Sequence, residues 1–543
     1  MRNIFFLILS CFCLLSVHAQ NETSKDHISL AGIWNFKLDP LNISIPVKGS
    51  NFVSRFPEEI TLPGSTDQAG KGFKTQDMSS LRLTRMFEYS RAAWYEKENI
   101  FIPESWKDQQ LFLFLERVHW ESQVWVNGKF VGKEESLSTP HLYDITSYVK
   151  FGDWNTVRIR VDNGNIHDIA YTHAISAETQ TNWNGIIGRM EIQAVSKVHI
   201  ADVQIYPLQK EKRLKIVAQI VNYSNLPVKG DIRINCHFLN DSQDLHLKEK
   251  NTTFDSSDSL KRLVHYYDLG DKLYTWDEFE PNLYEIDYEI KCCGKSDVQK
   301  IKFGIRDFGT KGTHFTINDI PTFIRGAVNS CEFPITGYPP MSYEEWKKVM
   351  KVYKDYGFNC IRFHSWCPPE SAFQVADELG LYLQVENSDW RFTVGEDEAT
   401  NAFYLDEVQR IFKEYGNHPS FAFFCEGNEL VGKDCVDFLK EMLTEWKKDS
   451  RHLYVAASGY PTVEGSDFFD FYGARPQRWQ EGLKGRFNSQ PLNTRYDYID
   501  YVKKFSIPMV THEIGQWCAY PDFNQISKYI GVLKPYNYEL FRE

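Results

Sequence analysis

From about residue 28 to 197, apolar and polar residues alternate in short runs broken by turn formers. Residues 111–115, 122–126 and 156–161 read as strands, and the last two run into Asn127-Gly128 and Asp162-Asn163-Gly164. Asn-Gly between alternating runs signals a hairpin, because both residues tolerate positive φ. No helical period competes, so the stretch predicts an all-β sandwich of jelly-roll type. Residues 198–305 continue with alternating runs at 214–221, 232–238 and 283–292. About seven short strands in ~100 residues fit an immunoglobulin-like sandwich.

Near residue 315 the pattern changes. Apolar runs at 323–326, 360–363, 381–386, 421–426, 453–457, 470–474 and 508–513 alternate with helical stretches at 343–356, 369–379, 400–415 and 436–449. Strands apolar on both faces, separated by helices, predict parallel pairing in a (β/α)8-type barrel. Seven strands are readable. Residues 514–543 hold a loop and a helix near 526–533, so the barrel is expected to be short by its last strand and helix.

A chain of 543 residues is too long for one core. The pattern divides it into a leader (1–19), a jelly-roll domain (20–197), an immunoglobulin-like sandwich (198–305) and an incomplete barrel (306–543). The leader reading rests on Arg2, the apolar run 4–17 and the small-residue site Val17-His18-Ala19. That run is shorter than the ~20 residues of a membrane span. Export to the periplasm or medium is therefore expected, with no membrane span.

Net charge is −12, which excludes a nucleic-acid partner recognised through its phosphates. Nine of the 11 cysteines lie beyond the leader, too scattered for a disulfide scaffold, and no Cys or His spacing points to zinc. No metal and no cofactor are expected, and a homo-oligomer stays open. Aromatics reach 15%, enough both to fill sandwich cores and to stack on sugar rings.

Two glutamates close apolar strands: Glu429, after residues 421–428, and Glu513, after residues 508–512. Barrel active sites form at the C-terminal ends of the strands. Paired carboxylates there suit glycosidic cleavage, in which one protonates the departing oxygen and the other faces the anomeric carbon. Burial and the neighbouring charge would keep one protonated and one ionised. For either glutamate alone, a strand-end carboxylate bound to backbone amides or an arginine is an equal alternative. Glu426 is out of place in an apolar strand. It faces the helix layer or perturbs the acid, and the sequence does not decide between them.

The stretch Asn417-His-Pro-Ser-Phe-Ala-Phe-Phe-Cys-Glu-Gly-Asn428-Glu429 resembles the acid/base signature of glycoside hydrolase family 2, with Phe424 where Trp is usual. A second stretch resembles the family's other signature: Asn359-Cys-Ile-Arg362, then His364-Ser365 in reversed order, then Asp377-Glu-Leu-Gly380 through Glu386. In the N-terminal half, Gly32-Ile-Trp34, Val124-Trp125-Val126-Asn127-Gly128 and Asn182-Trp183-Asn184-Gly185 resemble its sugar-binding domain.

The resemblance implies a retaining exo-β-glycosidase acting on a terminal β-linked sugar of an oligosaccharide or polysaccharide fragment, a β-galactoside first and a β-glucuronide next. It implies Glu429 as acid/base, Glu513 as nucleophile, Asn428 on the sugar's 2-hydroxyl and Arg362 beneath the nucleophile, where a structural ion pair is the alternative. Tyr472 is the match for a tyrosine that holds the nucleophile, or else a packing residue. His364, Trp366, Glu386 and Trp390 are expected to face the pocket. The plainer alternatives are a structural histidine, a core tryptophan and a salt bridge from Glu386 to Arg325 or Arg362. Trp517 walls the pocket or anchors its loop. The rival reading, prompted by the short barrel, is a carbohydrate-binding protein with impaired catalysis.

Overall fold

The computed structural model describes residues 26–42, 56–76, 79–240, 245, 247–471, 491, 495, 499–511, 513–514 and 520–543. The leader, Tyr472 and Trp517 lie outside the described residues. The described chain is mostly β and multidomain, with its longer helices confined to one region.

In the first region the chain forms two antiparallel sheets. Six strands run in the order Lys129–Glu135, Glu121–Val126, Asp153–Asp162, Ala92–Ile102, Gly32–Asp39 and Glu58–Leu62. The second sheet is built around Gly185–Ser196 and Gln109–His119. Alternation sends one face of each sheet inward, and Trp34, Tyr95, Leu113, Ile159 and Ile192 meet in one core. The expected Asn127-Gly128 hairpin forms, with φ of 51° and 78° at its two turn residues. Seven further strands between Val198 and Phe303 make a three-stranded and a four-stranded sheet around a core that includes Ile205, Ile216, Ile234 and Ile286.

Parallel strands follow: β1 (Gly326–Asn329), β2 (Cys360–Phe363), β3 (Tyr382–Asp389), β4 (Phe421–Gly427) and β5 (Leu453–Val455), paired in chain order. β6 (Phe469–Phe471) and β7 (Met509–Thr511) form a separate parallel pair among the described residues. Helix α1 (Tyr343–Asp355) joins β1 to β2, α2 (Glu370–Leu379) joins β2 to β3, α3 (Glu398–Tyr415) joins β3 to β4, and α4 (Cys435–Trp446) joins β4 to β5.

Local chemistry sets these helix ends. The Ser342 side chain accepts from the Glu345 N–H at the start of α1, and the Asp397 side chain accepts from the Thr400 N–H at the start of α3. Gly380 ends α2 at φ 66°, where a Cβ would be strained. Every residue of β2, β3 and β4 is buried. Ile361, Phe363, Leu383 and Val385 pack toward the helices, while Cys360, Tyr382 and Phe423 pack on the opposite face. Each such fully buried side chain contributes roughly 1.5–3 kcal/mol, which explains why these runs are apolar on both sides.

Three expectations need correction. The first parallel strand is Gly326–Asn329, three residues later than the apolar run 323–326, because Ile320–Thr322 is already engaged in an antiparallel pairing with His314–Ile317. The stretch 526–533 is not an α-helix. A 3₁₀ turn at Phe523–Lys528 is followed by Leu533–Lys534, which pairs with Thr84–Arg85 of the first region, and then by a helix at Tyr536–Arg542. Strand β3 runs to Asp389, so Glu386 lies within the strand and not at its end.

Candidate active site

The two-residue period of a strand aligns the polar side chains of this site. In β2 it puts Arg362 on the same face as Cys360, and in β3 it puts Gln384 and Glu386 on the same face as Tyr382. Just past β4, Asn428 reaches the same space. Arg362 is the hub. Its Nε donates to Glu386 Oε1 at 2.6 Å, its Nη2 donates to Asn428 Oδ1 at 2.8 Å, and its Nη1 stands 3.5 Å from Glu513 Oε1. One guanidinium thus touches side chains from β3, from the loop after β4 and from the loop after β7. Of the expected alternatives for Glu386, the partner is Arg362; Arg325 pairs with Glu278 instead.

Glu386 is fully buried and well satisfied. Besides Arg362, it accepts from the Ser365 N–H at 2.7 Å and from the Ser458 hydroxyl at 2.5 Å. Burial opposes its charge, but the Arg362 guanidinium, His364 and these hydrogen bonds outweigh it and bring the carboxyl down to about 2. Glu386 is therefore a permanent anion that fixes Arg362.

Glu513 faces two donors, Arg362 and His364, whose Nε2 lies 3.1 Å from Glu513 Oε1. Its side chain keeps 13% exposure in an otherwise dry cluster. Opposite an ionised Glu513, which only accepts, the His364 Nε2 is the donor. His364 itself is held below its ordinary range, first by burial and then by Arg362. Among the described residues the Asn428 Nδ2 is a buried donor without a partner, although its Oδ1 is taken by Arg362.

Glu429 and Glu513 share a backbone feature: both adopt left-handed conformations, with φ of 48° and 52°. Ser365, beside His364, does so at 50°. Such residues cost of order 1–3 kcal/mol and persist where surrounding contacts over-determine them. For Glu429 those contacts are its own N–H to the Ser458 carbonyl at 2.8 Å, the Leu430 N–H to the Tyr460 carbonyl, and the Asn428 N–H to the Asp389 carbonyl at 3.0 Å.

Trp366 is not in this site. It is 2% exposed, donates to the Asn329 carbonyl, and packs among Trp346, Phe363 and Phe333 as a core residue. Trp390 stays partly exposed, 5.0 Å from the His364 ring.

Glu426 lies on the helix side of β4, with Asn387, Asp389 and Arg391. Burial and then the Asp389 charge push its carboxyl well above the ordinary range, so this pair retains a proton while Arg391 neutralises Asp389. Sequence reasoning missed Ser458, Asp389, Arg391 and His173. Ser458 stands just past β5, and the strand-end rule that found Glu429 would have found it. His173 lies in a loop of the first region with no motif or period to mark it.

Two sequence profiles match the chain. That of the sugar-binding domain of glycosyl hydrolases family 2 matches residues 28–189, and that of glycosyl hydrolases family 2 matches residues 198–306. A β-galactosidase of Priestia megaterium is 26% identical over 376 residues, 65% of this chain and 35% of that protein. A putative β-glucuronidase of Formosa agariphila is 25% identical over 516 residues, 90% of this chain and 56% of that protein. The chain thus spans about a third to a little over half the length of these relatives. Among solved structures, a β-glucuronidase from Ruminococcus gnavus superposes with a TM-score of 0.69 at 18% identity, covering 91% of this chain and 84% of that one. A Bacteroides uniformis β-glucuronidase gives 0.67 at 16% identity, covering 83% and 53%. With both profiles in order along the chain, residues 28–306 belong to glycoside hydrolase family 2.

Proposed function

We propose that this chain is an exported, retaining exo-β-glycosidase that removes a terminal β-linked sugar from an oligosaccharide or polysaccharide fragment. Its architecture in this reading is a jelly-roll domain, an immunoglobulin-like sandwich and a (β/α) barrel. The supporting observation is the single guanidinium of Arg362, which contacts both Glu513 and Asn428, the neighbour of Glu429. One strand-end glutamate and the residue next to the other thereby share one buried cation.

In the first step the Glu513 carboxylate attacks the anomeric carbon while the Glu429 carboxylic acid gives its proton to the glycosidic oxygen, releasing the leaving group. In the second, Glu429 takes a proton from water, which displaces Glu513 from the glycosyl ester. Arg362 and the His364 N–H hold Glu513 as an anion aimed along the line of attack. The spare Nδ2 of Asn428 suits a sugar hydroxyl adjacent to the anomeric centre, a contact that strengthens as the oxocarbenium character grows. Relatives named β-galactosidase and β-glucuronidase set the order of trial: β-galactoside, then β-glucuronide.

The test is turnover of a panel of aryl β-glycosides by the wild type and by Glu513→Gln. Turnover by the wild type and none by the variant, with equal melting temperatures, is expected. An experimental structure should put the two carboxyls ~5–5.5 Å apart, whereas roughly 6.5 Å or more would indicate inversion. Saturable sugar binding without any turnover would overturn the enzymatic reading.

A further inference from the structure

One residue of the first region enters the site. The loop carrying His173 leaves the first sandwich and is fixed at several points. Ile169 and Ile175 pack with Phe403 and Tyr404 of α3, Ala170 bridges to Trp390, and the Thr179 hydroxyl donates to the Thr172 carbonyl. This anchoring sets the His173 imidazole edge-on to His364, with ring centroids 4.5 Å apart. The two Nδ1 atoms are 3.1 Å apart, and the Ser365 hydroxyl lies 3.2 Å from the first and 3.1 Å from the second. The His173 N–H also donates to Ser365 Oγ at 3.0 Å.

Protons in this triangle are constrained. With Nε2 of His364 donating to Glu513, its Nδ1 must be bare as long as the ring is neutral. A bare Nδ1 can accept from either neighbour in its donor form, the Nδ1–H tautomer of His173 or the Ser365 hydroxyl. A proton there would face the Nδ1–H of that tautomer at 3.1 Å, with His364 buried and His173 half-buried. The charged groups facing His364 act in opposite senses: Arg362 from β2 disfavours an imidazolium, while Glu386 from β3 and Glu513 favour it. His173 adds no charge of its own, because burial, then His364 and Arg362, bring it down to about 3.

Resting on the glycosidase reading above, we propose that His173 is a positioning residue: it holds His364 as the neutral Nε2–H tautomer whose hydrogen bond orients Glu513. The first sandwich thereby completes the candidate site. Without His173, water reaches Nδ1, His364 takes up a proton beside Glu513, and the nucleophile is tied up in an ion pair.

The experiment follows the imidazole nitrogens of the full chain by ¹⁵N NMR across pH, with the His364 signal assigned by its loss in His364→Asn. In the wild type, His364 should show an Nε2–H tautomer and remain neutral through mildly acidic pH. In His173→Ala its midpoint should rise by about one pH unit or more, since burial is the largest force holding it down. His173→Asn, whose amide N–H can replace the Nδ1–H, should restore the wild-type behaviour. Turnover should track this, with the acid limb of kcat/KM moving to higher pH in His173→Ala and returning in His173→Asn. An unchanged His364 midpoint in a folded His173→Ala would overturn the proposal. If that variant does not fold, the wild-type spectrum decides alone, and an Nδ1–H tautomer on His364 sinks the idea. A wild type inert on every glycoside would defeat the glycosidase reading, while the nitrogen spectra would still decide the role of His173.

Discussion

Replacing Arg362 by Met removes the cation at the centre of the site while keeping most of its stem. Glu386 then stays fully buried without its ion-pair partner, keeping only its bonds from Ser365, Ser458 and Gln384. Burial opposes its charge, yet Arg362, His364 and these hydrogen bonds hold the carboxyl down from its ordinary 4.5 to about 2. At ~1.36 kcal/mol per pH unit, that depression corresponds to about 3 kcal/mol of folded-state stabilisation. This agrees with the roughly 3–5 kcal/mol expected when one partner of a buried ion pair is deleted. For a domain of this size the loss lowers the melting temperature by roughly 6–12 °C.

Calorimetry of the wild type, Arg362→Met and the double variant Arg362→Met/Glu386→Gln at neutral pH measures it, and the double variant should recover much of the loss. Because the folded-state value is depressed, the contribution is complete above the ordinary value of 4.5 and disappears as pH falls toward about 2. The gap between wild type and Arg362→Met should narrow over that window. A neutral-pH loss under about 1 kcal/mol, or one that Glu386→Gln does not relieve, would refute the reading of Arg362 and Glu386 as a strongly coupled buried ion pair.

Glu426→Gln should be stabilising at pH about 8, because the raised carboxyl makes the fold hold a proton that the unfolded chain releases, and the gain should vanish below about pH 4.5. Thermal melts at both pH values check the sign. Gly427→Ala should lower kcat/KM by roughly 10²-fold and cost about 1–3 kcal/mol, since a Cβ there would overlap the Asp389 carbonyl that receives the Asn428 N–H. Kinetics and a melt of the variant measure both effects.

The sequence by itself determined most of the elements and the alternation of faces along the strands. Strand alternation, the Asn127-Gly128 turn and the strand–helix repetition are local, short-period properties of the backbone, so they are legible in one dimension. Glu429, Glu513, Asn428, Arg362, His364 and Glu386 could be singled out because strand ends bearing polar groups after apolar runs stand out, and because their motifs resemble those of one family.

Tertiary structure decided what no local pattern carries. It made Arg362 the shared partner of Glu386, Asn428 and Glu513, sent Trp366 to the core, and put Glu426 on the helix side with Asp389 and Arg391. It also brought His173 to His364 across 191 residues of chain. Such pairings depend on which strand ends and loops the packing of separate cores sets side by side. Their energies are electrostatic and fall steeply with distance and hydration, so they exist only once burial has fixed the neighbours and excluded water.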